Sequence, residues 1–104
     1  MHQEHSSRSR IMNPIISQRK LARERVAPYL GELKRWQSKS LQLRALHNSR
    51  HQSADALAIG QMQLAALRTE IEMARQAFIL EMDDIADMPA VVDYLAALDS
   101  LLRR

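Results

Sequence analysis

Leu57, Leu64, Ile71, Phe78 and Ile85 stand seven residues apart without a break, and Gly60, Leu67, Ala74 and Met88 mostly fill the positions three residues further on. Five consecutive apolar heptad positions require one long helix with a continuous seam. Running from Ser53 to about Asp87, such a helix would be roughly 50 Å long at 1.5 Å per residue, more than a small domain needs to span. The seam must therefore lie against a companion of similar length, in this chain or in a second copy.

A companion exists upstream. Ala22, Val26, Tyr29, Leu33, Trp36, Ser40, Leu43 and His47 follow alternating steps of four and three, a second heptad seam. Asn13-Pro14 reads as an N-cap followed by proline at the first helical position, where its missing N–H costs nothing. The first helix thus spans about 14–47. Pro28 deletes a backbone donor inside it and its ring pushes on the preceding turn, so the helix kinks or divides there, and Gly31 adds to the local weakness.

The polar run His47 to Gln52 is the expected turn. Ser53 then caps the second long helix, 53–86, with Asp55 in its first turn against the positive end of the helix dipole. Asp83, Asp84 and Asp87 oppose the carbonyl end and Pro89 supports a break. Asp87 is a candidate cap for a last helix, 89–102, with Val91, Leu95, Leu98 and Leu102 on one stripe widened by Tyr94 and Leu101. The predicted architecture is all-α: an antiparallel helical hairpin of 14–47 and 53–86 with a short C-terminal helix, forming a single domain over 14–104. Residues 1–13 are polar and aperiodic and read as a disordered tail.

Composition agrees. Of 104 residues 46% are hydrophobic but only four are aromatic, leaving the packing to Leu, Ile, Val, Met and Ala. Two glycines and three prolines are too few for a turn-rich β sandwich. The absence of cysteine rules out a disulfide scaffold and thiolate metal sites. No signal-peptide core and no 18-residue apolar stretch occurs, so a soluble, cytoplasmic protein without a membrane partner is expected.

The net charge of +3 hides an asymmetry. Residues 1–50 carry eleven Lys and Arg against three acids, whereas residues 51–104 carry four against nine. Two antiparallel arms whose flanks attract one another would account for this. A nucleic-acid surface formed by Arg19, Lys20, Arg23, Lys34, Arg35 and Lys39 is the alternative. These positions do not converge on one narrow helical face, and no helix-turn-helix spacing, zinc finger or aromatic stacking platform accompanies them.

Catalytic and metal constellations are weak. Asp83, Asp84 and Asp87 have the spacing with which carboxylates on one helical face hold magnesium and a diphosphate, but no second acidic motif accompanies them; they read as helix-end acids. His47 and His51 are four apart, without a third ligand. There is no nucleophile elbow or phosphate-binding glycine loop. No enzyme activity, cofactor or metal is expected.

What the pattern supports is helix-on-helix recognition. Leu57, Leu64, Leu67, Ile71, Phe78 and Ile85, with Tyr29 and Trp36 as large aromatic anchors, are the candidate residues for hairpin closure or association with a partner. Leu30, Leu41, Leu46, Met62, Met73, Ile79 and Leu80 lie off both seams, implying a broad core or a second interface, with the methionines offering an adaptable surface. The expected function is a non-enzymatic helical interaction module of adaptor, small chaperone or inhibitor type. Its partner would be a second copy, in a homo-oligomer, or an amphipathic helix of another protein.

Overall fold

A computed structural model describes residues 14–48 and 53–103. Four α-helices follow one another: α1 (Pro14–Val26), α2 (Leu30–His47), α3 (Ala54–Glu81) and α4 (Pro89–Arg103), with 3-10 turns at Ala27–Tyr29 and Asp83–Ile85. The tail expected over residues 1–13 and most of the turn before Ser53 lie outside the described residues.

The first predicted helix is divided in two, as its proline demands. Pro28 sits in the 3-10 turn, and the Leu30 N–H reaches back to the Ala27 carbonyl before α2 resumes. The seam survives the break. Ala22, Val26, Leu33, Trp36, Ser40 and Leu43 are buried, with Tyr29 and His47 half-buried at their expected places in the row.

Ser53 caps α3 as its position predicts, its Oγ accepting from the Ala56 N–H at 3.1 Å. The helix ends at Glu81, five residues before the expected limit. Met82 leaves helical geometry at φ −101° and ψ 17°, its N–H still bonded to the Phe78 carbonyl at 2.9 Å. Carboxylates at Asp83 and Asp84 oppose the carbonyl end of a helix, and the tighter turn that follows leaves Met82 in the core. The Asp87 cap is not formed. The N–H groups of Val91 and Val92 go to the Met88 carbonyl, each at 3.0 Å, and Asp87 makes no side-chain hydrogen bond among the described residues.

α2 packs along α3, while α4 folds back along α1 and against both long arms. An aromatic cluster marks the thickest part of the core. The Phe78 ring lies 4.3 Å from that of Tyr94 and 5.1 Å from that of Tyr29, the latter edge-on at 82°. Val91, Leu98 and Leu101 of α4 close the same core from the third side. With only 15 residues α4 covers part of the hairpin, and Arg68 of α3 donates to the Leu102 carbonyl near its end. Beyond that level the two arms continue alone. The molecule is a rod of 73 × 21 × 16 Å with a radius of gyration of 19.8 Å, against about 13 Å for a compact chain of this size.

Candidate functional site

The α3 helix has two apolar faces. Its inner face holds Leu67, Ile71 and Phe78 buried, with Leu57, Leu64 and Ala74 half-buried. Met73 is two residues beyond Ile71, about 200° round the helix, and so points directly away from that seam. Ile59, Ala66, Met73 and Leu80 recur there at seven-residue intervals, and Met62, Thr69 and Gln76 fill the companion positions. All seven are exposed. The four large side chains among them are strongly so: Ile59 56%, Met62 71%, Met73 69% and Leu80 78%.

The residues expected from sequence to close the hairpin or to mediate association pack within this chain. Leu67, Ile71, Phe78 and Trp36 are buried within this chain; Leu57, Leu64, Ile85 and Tyr29 are half-buried against the same core. They close the hairpin on itself. Of the off-seam residues, Leu30, Leu41, Leu46, Met62, Met73 and Leu80 are exposed and Ile79 is half-buried, whereas Met82 fills the core. Ile59 and Ala66 were the missing members of the outer row. The signal for them was present as a second seven-residue spacing, offset by two from the first.

Flanking the outer row on the α2 side is Glu70. Its carboxylate accepts from the Trp36 indole Nε1 and from Arg35, which also bonds Glu32. The Trp36 and Arg35 hydrogen bonds, in that order, hold the Glu70 carboxyl below the usual carboxylate range. On the α4 side Arg75 pairs with Asp99 at 2.8 Å. At the base Arg25 pairs with Asp84 at 2.8 Å and holds its carboxyl below the usual carboxylate range through that hydrogen bond. The basic and acidic halves of the chain thus meet at Arg25–Asp84 and Arg35–Glu70, the mutual attraction of the arms expected from the charge asymmetry.

The remaining cations of the alternative surface, Arg19, Lys20, Arg23, Lys34 and Lys39, are exposed and make no ion pair among the described residues. They do not share one surface. Arg19 and Arg23 line a groove of about 610 Å³ between the first two helices and α4, floored by Val26, Leu33 and Tyr94 and shared with Asp93. Lys39 borders the α2–α3 cleft instead, beside Glu70.

Chemically reactive arrangements are sparse. Asp84, one of the three helix-end acids, is occupied by Arg25. The Nδ1 atom of His47 is buried without a hydrogen-bond partner among the described residues, and His51 lies outside them. Burial pushes the Tyr94 hydroxyl above its ordinary range, keeping it protonated where it donates to the Tyr29 carbonyl at 3.4 Å. No group of three or more His, Cys, Asp and Glu side chains suited to a metal ion occurs among the described residues, and none of their helices is long and apolar enough to cross a membrane. No protein-family model, curated protein or solved structure matches this chain.

Proposed function

We propose that this chain is a non-enzymatic helical protein-interaction module, of adaptor, small chaperone or inhibitor type, that works by laying the outer face of α3 against an apolar helical face of its partner. The observation that carries this reading is the exposed heptad row from Ile59 to Leu80. Isolated exposed leucines are ordinary on a protein surface, but a row about 32 Å long that is apolar at every position except Thr69 and Gln76 is a contact surface. Heptad spacing selects another helix as its complement, since an apolar seam repeating every 3.5 residues is what a facing helix fills. Two methionines in the row let it adapt to side chains of differing shape.

A photo-cross-linking amino acid introduced at Met73, at Met62 or, as control, at Ser38 on the exposed side of α2 tests this in the cells from which the protein comes. Protein adducts are expected at the two methionine positions and not at Ser38. Equal labelling at all three positions would remove the reading.

The five exposed cations without ion pairs support a second reading, nucleic-acid binding through α1 and α2. The placement of Arg19 and Arg23 on one groove and Lys39 on another, and the engagement of Arg35 by Glu32 and Glu70, weigh against it. Replacing Arg19, Arg23, Lys34 and Lys39 together by Gln should abolish retention on immobilised nucleic acid if that reading holds. Partner capture through α3 would be left intact.

A further inference from the structure

We infer that the partner of the outer face of α3 is the same face of a second copy of this chain, an inference that rests on the interaction-module reading above. Three features of the face select a copy of itself. First, a facing seam must match it in period and length, and α3, at 28 residues, is the longest helix described and the one that carries such a row uncovered. Second, the row contains no charged residue. Its immediate borders carry Ala58, Ala65, Ala77 and half-buried Ile79, with acids at Glu70, Glu72 and, at the C-terminal end, Glu81; Glu70 is held by Arg35 and Trp36, and Glu72 lies 3.9 Å from Arg68. In an antiparallel pair of identical faces the two Glu81 side chains fall at opposite ends, so unpaired charges do not oppose one another, the usual obstacle to an isologous contact. Third, the sizes are arranged about the middle. Met62 and Met73, with Ile59 and Gln76 beyond them, stand at equal distances on either side of the small pair Ala66 and Thr69, so two axes related by a two-fold can approach closely at the centre.

The area agrees with a dimer that forms and dissociates. The exposed parts of the four large side chains amount to roughly 500–600 Å² per chain, so their face-to-face pairing buries at most about 1,000–1,200 Å² in all, at the lower limit for a specific interface. The inner seam is already closed within each chain, so the copies associate as folded hairpins.

Sedimentation velocity on the purified full chain, from low-micromolar to submillimolar concentration, reads the association. The weight-average mass is expected to rise from 11.9 kDa towards twice that value, and the double variant Met62→Glu, Met73→Glu should stay at the monomer mass with an unchanged circular dichroism spectrum. Because the chain has no cysteine, single introduced thiols report contact directly. Thr69→Cys, in the middle of the row, should oxidise to a disulfide-linked dimer, whereas Ser38→Cys should not. A monomer at every concentration, a dimer indifferent to the two glutamates, or equal cross-linking at Thr69→Cys and Ser38→Cys overturns the inference. Failure here is distinguishable from failure of the broader reading. If the photo-cross-linked adduct at Met73 carries a different protein while the chain sediments as a monomer, the face is still an interaction surface but its partner is not this chain.

Discussion

The Trp36 indole on α2 donates its Nε1–H to Oε2 of Glu70 on α3 at 2.5 Å, so that the single tryptophan of the chain is pinned to the flank of the long helix by a carboxylate. Trp36 itself is buried, while the Glu70 side chain remains about half exposed. The bond fixes the rotation of α2 against α3 at the middle of the hairpin. It also makes Trp36 fluorescence a local reporter of whether the arms are closed.

Because Glu70 has its pKa lowered in the folded state, its contribution to stability is present above the ordinary glutamate value of 4.5 and is lost as the pH falls through the lower, folded value. For a half-exposed group the effect is small, ~0.5 kcal/mol or less. Urea unfolding followed by Trp36 emission should show the wild type losing more stability than Glu70→Gln between about pH 7 and about pH 3. Parallel losses in the two proteins would mean that the carboxylate's charge contributes nothing to holding the arms together.

Phe78 is 2% exposed and wedged between the rings of Tyr29 and Tyr94, which brings the 3-10 turn, α3 and α4 to one point. Truncation to Ala leaves a cavity at the thickest part of a thin molecule. A loss of about 3–5 kcal/mol is expected, large enough in so small a domain to leave Phe78→Ala largely unfolded at room temperature. Near-native thermal stability in that variant would show that the aromatic cluster is not the centre of the core.

How far the fold could be read from the chain differs between its parts for physical reasons. Both seams were legible because burial along a long helix repeats with the helical period, and Pro28 marked the break because no other residue removes a backbone donor. The end of α3 was not legible to better than five residues. Ile85 continues the heptad series in sequence, yet three nearby carboxylates and the placement of Met82 in the core favour a 3-10 turn, and only the packed structure sets one preference against the other. The candidate site was partly legible: Met62, Met73 and Leu80 stood out as apolar residues off the seams. Whether the inner seam or the outer row would remain uncovered depended on whether the arms closed on each other, which the heptads alone leave open.

The assignment of faces on α3 is testable with two neighbouring substitutions. Ile71→Asp places an unpaired carboxylate in the closed seam and should unfold the hairpin, at a cost of several kcal/mol. Met73→Asp, two positions on and on the opposite face, should change monomer stability by no more than about 0.5 kcal/mol. Far-UV circular dichroism on both variants decides it. If the second loses as much helix as the first, the rotation of α3 is wrong and the outer row with it.

Gly60 gives a prediction of opposite sign. It occupies an interior position of α3 with ordinary helical backbone, and a Cβ built on it meets nothing within 4 Å. Glycine there carries the conformational freedom of the unfolded chain without any close approach or left-handed dihedral to justify it, so Gly60→Ala should stabilise the protein by about 0.5–1 kcal/mol. The effect falls in the distal part of the hairpin, beyond the reach of α4, where helix propensity is least reinforced by packing. Amide hydrogen exchange should therefore slow most over the first turns of α3, between Ala54 and Leu64, and less around Phe78. Destabilisation by Gly60→Ala would mean that α2 and α3 approach more closely near the tip than the open space around Gly60 indicates.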